Sequence, residues 1–253
     1  MTMLAEILAH KRREVAERKA AFPTPPPCAR PPPDFAAAVS ADPIGLIAEI
    51  KRRSPSVGPL REPFDPSAIA RAYASGAAHA ISVLMDCRFF GGGEPVFRAA
   101  RLAVSLPLLY KEFVVDEWQI RHAASLGASA VLLIVAALTD AELGRFLRQA
   151  ETLGLAALVE VHDETEMKRA IEAGARVIGI NNRDLATFRT ALETTERLAP
   201  LAPPGTLLIA ESGVHGPDDA RRLKDAGAQA LLVGEYLLRS PDIVSALRSL
   251  RSL

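Results

Sequence analysis

Residues 127–134 read Gly-Ala-Ser-Ala-Val-Leu-Leu-Ile: a glycine, two small residues, then an uncharged aliphatic run. Glycine after a helical segment takes up the left-handed conformation that stops a helix. The aliphatic run has the texture of a strand covered on both faces. The same order recurs at Gly76 (GAAHAISVL), Gly174 (GARVIGI) and Gly227 (GAQALLV). The four glycines lie 51, 47 and 53 residues apart, room each time for two strand–helix units.

The remaining strands fall in those gaps and before the first glycine. GLIAEIK (45–51), PLLYKEF (107–113), LAALVEV (155–161) and TLLIAES (206–212) bring the aliphatic runs to eight. Between them stand helix-start signals. Asp65-Pro66 and Ser240-Pro241 each set a capping side chain before a proline, and Thr139 with Glu142 and Asp163 with Glu166 have capping-box spacing. Eight strands alternating with helices predict a parallel sheet with right-handed crossovers, closed as an α/β (β/α)8 TIM barrel. An open doubly wound sheet is the competing arrangement, but no strand is followed by a G-x-G-x-x-G turn.

The rest of the chain is an extension to that barrel. Residues 1–20 form a charged amphipathic helix, read as a surface helix and not a signal peptide. Residues 23–33, PTPPPCARPPP, can neither continue a helix nor join a sheet interior, and read as a stiff extended connector. The predicted division is therefore 1–33, helix and connector, and 34–253, barrel. Removal of 1–33 is expected to raise KM more than it unfolds the barrel.

Bulk properties narrow the function. The chain has 253 residues, with 30 basic and 30 acidic side chains. A zero net charge argues against an electrostatic grip on nucleic acid or on a membrane surface. The longest nearly apolar run, ASAVLLIVAAL, is about half the roughly 20 residues that span a bilayer. Two cysteines, Cys28 and Cys87, make neither a disulfide framework nor a metal knuckle. A cytoplasmic protein, monomeric or weakly dimeric, is the expectation.

Chemistry in such a barrel sits at the C-terminal strand ends. Strand one ends with Glu49 and Lys51, strand three with Lys111, strand five with Glu160, strand six with Asn181, and strand seven with Glu211 and Ser212. If these face inward, two lysines and three glutamates share one mouth, where charged neighbours shift each other's pKa as acid–base work requires. Adjacent lysines are expected to depress one another. Gly213 and Gly234, in the loops after strands seven and eight, would let backbone N–H groups approach a phosphate, and the loop after strand one adds Ser54 and several basic groups. His162 and His215 read as solvated loop residues without metal-ligand spacing, and Cys87 has no base beside it. Phe89 and Phe90, before three glycines, read as a mobile loop able to cover a planar ligand.

Several of these stretches together carry a resemblance. IAEIKRRSPSVG, FFGG, KEFVVDEWQI, LVEVHDETE, IGINNRDL, AESGV and LVGE are similar to the hallmark segments of the indole-3-glycerol phosphate synthases, over essentially the full length. The resemblance implies a lyase of tryptophan biosynthesis. It would close the ring of 1-(o-carboxyphenylamino)-1-deoxyribulose 5-phosphate with loss of carbon dioxide and water, without cofactor or metal. By motif, Lys111 looks like the general acid of ring closure, and Lys51 like the cation that holds the substrate carboxylate. Glu160 looks like the partner acid–base group and Glu49 like the carboxylate that orients the lysines, while Asn181 and Glu211 resemble groups that hold sugar hydroxyls. Ser54, Arg183, Ser212, Gly213, Gly234 and Glu235 fall at substrate- and phosphate-side positions. Phe90, Phe113, Leu132, Ile134 and Leu232 would line the anthranilate pocket. Met85, Gly93 and Tyr110 depart from the family pattern at positions that bear on loop dynamics.

Three other readings stand beside this one. Phosphoribosylanthranilate isomerase is expected to end strand one with a cysteine and strand six with an aspartate, where this chain has Lys51 and Asn181. A Schiff-base aldolase would use Lys111 as nucleophile. A non-catalytic phosphosugar-binding barrel is the third, since fold alone does not establish activity.

Overall fold

The computed structural model describes residues 2–26, 32–54, 58–184, 187 and 189–252. Eight strands form the barrel: β1 (Gly45–Ile50), β2 (Ala80–Leu84), β3 (Leu108–Lys111), β4 (Ala130–Ile134), β5 (Ala156–Val161), β6 (Val177–Asn181), β7 (Leu207–Glu211) and β8 (Ala230–Val233). Each pairs in parallel with its sequence neighbours, and β1 closes the circle by pairing β8 through Gly45↔Ala230 and β2 through Ile47↔Ala80. Nearly every strand residue is buried, as expected of strands enclosed by side chains within and helices without.

The helices are α1 (Met3–Ala21), α2 (Phe35–Val39), α3 (Pro66–Ser75), α4 (Cys87–Phe90), α5 (Glu94–Ala103), α6 (Glu117–Ser125), α7 (Asp140–Thr152), α8 (Glu164–Glu172), α9 (Glu193–Leu198), α10 (Pro217–Asp225), α11 (Glu235–Arg239) and α12 (Ile243–Arg251). Asp65 caps α3 through the Ser67 and Ala68 amides. Thr139 and Glu142 form a full capping box on α7. Asp163 accepts from the Glu166 amide, while the Glu166 carboxylate reaches back one residue further, to the His162 amide. Among the described residues, no helix is long and apolar enough to cross a membrane.

Several local expectations need correction. Gly127, Gly174 and Gly227 are left-handed as predicted, with φ of 77°, 83° and 107°. Gly76 is not: its φ is −81°, and Ala77 takes the left-handed position at 63°. Gly76 is needed for space instead, because a Cβ there would lie 2.7 Å from Leu247 Cδ1 of α12. Ser240-Pro241 does not open a helix. Ser240 ends α11, its hydroxyl donating to the Tyr236 carbonyl at 2.8 Å, and Asp242 caps α12 through the Ser245 amide.

The first helix is more than a surface element. It buries Ile7, Leu8 and Val15, and with them the whole of Lys11, 0% exposed. The chain after it is pinned by Trp118 Nε1 donating to the Phe22 carbonyl at 2.7 Å, and Lys19 pairs with Asp116 at 2.8 Å. Of the connector, residues 23–26 and 32–33 are in neither helix nor strand, and residues 27–31 lie outside the described residues.

Candidate active site

The strand order brings the predicted residues to one opening at the C-terminal end of the barrel. A cavity of about 190 Å³ there is lined by every residue to which the family resemblance gives a catalytic or substrate-binding place. At its floor, Lys111 ends β3 and its ammonium lies between two carboxylates. Its Nζ donates to Glu160 Oε2 at 3.0 Å and to a carboxylate oxygen of Glu211. The lysine side chain is 12% exposed and the two glutamates 4% and 2%.

Glycine makes room for this arrangement. A Cβ on Gly179 would lie 2.1 Å from Glu211 Oε1 and 3.0 Å from Leu158 Cδ1. The Glu211 side chain can yield, so Gly179→Ala should act on the site more than on the fold. We expect kcat to fall at least about tenfold and stability by less than about 2 kcal/mol, read from steady-state kinetics and urea unfolding. Wild-type kinetics from the variant would contradict the close fit.

The second pair stands on β1. Lys51, one residue past the strand, donates to Glu49 Oε1 at 2.6 Å. Glu49 is held from behind, since Ser82 Oγ reaches its Oε2 at 3.4 Å and the fully buried Tyr73 donates its hydroxyl to the Glu49 carbonyl at 2.8 Å. A Cβ on Gly234 would approach Glu49 Oε1 to 2.9 Å, so that glycine also serves the carboxylate beside it.

One wall is apolar. Leu132, Ile134 and Leu232 line it, and Phe90 faces Phe113 with ring centroids 6.1 Å apart. The two phenylalanines of the sequence motif divide: Phe90 enters the cavity, while Phe89 stacks edge-on against His10 of α1 at 5.9 Å. The segment is a single helical turn, α4, capped by Asp86 through the Phe89 amide at 2.6 Å.

The opposite side is polar. Asn181 accepts from the Arg183 amide at 3.1 Å, and Arg183 lies 3.9 Å from Glu235. Ser54 also borders the cavity. After β7 the chain turns through two successive left-handed residues, Ser212 at φ 65° and Gly213 at 89°. A serine held there stores strain of about 1 kcal/mol or more, the kind of backbone that persists where a site requires it.

Sequence reasoning missed the layer behind these residues. Glu112, next to Lys111, is 2% exposed and turns towards α1, where it accepts from Lys11 Nζ at 2.9 Å. Lys11 also meets Asp86 at 2.9 Å and Glu14 at 2.8 Å. A lysine on a charged helix reads as solvated, so no signal in the sequence points to this cluster. His162, expected in solvent, is instead 13% exposed between Glu160 and Glu166. His215 is exposed, as expected. Tyr110 points out of the barrel, fully buried against Phe97 and His122.

The electrostatics differ from the expectation that the lysines depress one another. Burial alone would lower the Lys111 pKa, but Glu160, Glu211 and Glu49 outweigh it and hold the ammonium protonated well above its ordinary range. Glu160, buried but facing Lys111 and His162, is held below the usual carboxylate range. Glu211, buried with Glu160 nearby, is pushed up to about 7 despite Lys111. Its raised pKa makes the folded state bind a proton that the unfolded chain has already lost from about pH 4.5 upward, so stability falls as pH rises to about 7. Glu211→Gln should remove that share. Between about pH 5 and pH 7.5 its unfolding free energy should decline by about 2 kcal/mol less than that of the wild type. Parallel declines in urea titrations would refute this.

The closed parallel barrel carries its ammonium–carboxylate cluster at the C-terminal mouth, where (β/α)8-barrel enzymes hold their active sites. The chain belongs to the indole-3-glycerol phosphate synthase family, whose model matches residues 4–250. Among curated relatives, the indole-3-glycerol phosphate synthase of Roseiflexus sp. strain RS-1 is 48% identical over 263 aligned positions, covering 98% of each chain. That of Roseiflexus castenholzii is 49% identical, with the same coverage. A solved structure, the thiamine phosphate pyrophosphorylase of Pyrococcus furiosus, superposes with a TM-score of 0.64 at 16% identity, covering 86% of this chain and 96% of that one. At that identity it speaks for the fold alone.

Proposed function

We infer that the mouth performs the reaction after which the family is named, on 1-(o-carboxyphenylamino)-1-deoxyribulose 5-phosphate. The observation that carries this reading is the Lys111 ammonium held between Glu160 and Glu211, with an apolar wall on one side and the Ser212–Gly213 turn on the other. The wall of Phe90, Phe113, Leu132, Ile134 and Leu232 takes the anthranilate ring. Ser54, Arg183, Ser212, Gly213, Gly234 and Glu235 frame the phosphate side. Lys51, steadied by Glu49, meets the substrate carboxylate.

Ring closure moves an electron pair from the aromatic carbon bearing the carboxylate to the ribulosyl C2 carbonyl carbon. The carbonyl oxygen takes a proton from Lys111. An ammonium with a raised pKa remains a competent acid here, because the developing alkoxide is more basic still. Loss of carbon dioxide returns its bonding pair to the ring and restores aromaticity. Dehydration then needs a proton for the departing hydroxyl and a base for a proton of the adjacent CH2, and Glu160 with the lysines supplies both. Counting an ionised substrate carboxylate, one proton is taken up per turnover. Asn181 and Glu211 hold the sugar hydroxyls.

Lys51 and Asn181 both border the cavity, where an isomerase of the preceding intermediate would be expected to have a cysteine and an aspartate. The reading is tested by supplying the carboxyphenylamino-deoxyribulose phosphate and following indole fluorescence. A folded protein that yields no indole product sinks it. A borohydride-trapped adduct on Lys111 would favour the Schiff-base alternative.

A further inference from the structure

His162 has no part in the chemistry above, yet its ring is fixed against the carboxylate that does. It follows β5 directly. Its Nδ1 lies 2.9 Å from Glu166 Oε2 of α8, the same oxygen that accepts from its own backbone amide. Its Nε2 is buried, without a hydrogen bond of good geometry, and lies 3.4 Å from Glu160 Oε1. Glu160 thus has one oxygen on Lys111 and the other facing His162. The imidazole lies outside the substrate cavity. It lines a second cavity, which shares Asn181 and Thr190 with the first and whose charged walls are Asp163, Glu166, Asp184, Arg189 and Arg197.

We propose that His162, braced by Glu166, is a positioning residue for Glu160, fixing the direction of that carboxylate and keeping it ionised while Lys111 gives up its proton. The need for such a partner follows from the chemistry. When Lys111 protonates the substrate carbonyl it becomes neutral, so Glu160 enters the later dehydration, where a base is required, without the cation on its Oε2. A second cation on Oε1 is unaffected by that transfer. Burial would by itself discharge the imidazole, but Glu160 and Glu166 together raise its pKa to about 10, so it is an imidazolium at neutral pH. The inference rests on the assignment of Glu160 as the acid–base group.

The test compares the full-length protein with His162→Gln, His162→Ala and Glu160→Gln, each checked for a cooperative melt. Glutamine keeps a donor near Glu160 but no charge. His162→Gln is expected to lower kcat about 10- to 100-fold with KM within about twofold. The acidic limb of its kcat profile should move up by roughly one pH unit, because Glu160 without its second cation protonates more readily. Imidazole added to His162→Ala should restore turnover, whereas pyrazole, of the same shape but weakly basic, should not. A wild-type kcat and acidic limb in folded His162→Gln would overturn the proposal, as would equal rescue by pyrazole, which would mark His162 as packing only. If Glu160→Gln itself turned over normally, the assignment of Glu160 would fail and the inference with it.

Discussion

Lys111→Met is expected to abolish measurable synthesis of indole product, with kcat reduced about a thousandfold and substrate still bound within a few-fold of the wild-type affinity. General acid catalysis by a positioned group contributes about 10²–10⁴ in rate, and Lys111 is the ammonium gripped by both Glu160 and Glu211. Methionine keeps the length and apolar stem but has no proton to give. The variant should still fold. Removing a cation from between two buried carboxylates is ordinarily severe, but Glu211 already tends to hold a proton near neutral pH. Neutralising it leaves Glu160 alone with His162. Single-turnover fluorescence and equilibrium binding separate the two expectations, and a kcat within tenfold of wild type would remove Lys111 from the role of acid.

The largest effect on stability is expected at a residue far from the mouth in sequence. Lys11→Met should lower the unfolding free energy by about 3–5 kcal/mol, because it leaves Asp86 and Glu112 buried together without their shared cation. Burial and the nearby Asp86 already push Glu112 up to about 7 while Lys11 is in place. Pairing the change with Glu112→Gln removes one of the stranded charges and should recover a substantial part of the loss in urea titrations. Equal losses in the single and double variants would show that charge is not the cause. Activity should fall as well. Asp86 caps the turn that carries Phe90, and Glu112 adjoins Lys111. Deleting residues 1–33 removes the same ammonium, so the burial of Lys11 turns the expected outcome from a raised KM towards loss of barrel stability.

The barrel was legible because its signals are local. Aliphatic runs, the left-handed glycines at 127, 174 and 227, and the caps at Asp65 and Thr139 each act within a few residues of themselves. The mouth was legible because the fold assigns chemistry to strand ends, so Glu49, Lys111, Glu160 and Glu211 could be picked out before any contact was known. What escaped depends on partners distant in sequence. Gly76 answers to Leu247, Gly179 to Glu211, and Lys11 to Glu112. His162 reads as a solvated loop residue because the spacing of Asp163 and Glu166 signals a helix cap, while the Glu166 carboxylate also turns back onto the imidazole. Whether a charge is solvated or enclosed is decided by packing, and no pattern within α1 distinguishes Lys11 from its exposed neighbours.

Coupling of ring closure to decarboxylation in one site is what defines the proposed reaction. Its most direct test is a single turnover of substrate labelled in the carboxylate carbon, with released carbon dioxide and indole product counted in the same sample. Equal amounts of the two are expected when the turnover is complete, carbon dioxide appearing no later than indole, and both are lost in Lys111→Met. An open-chain isomer formed without carbon dioxide, or carbon dioxide released without indole, would contradict it.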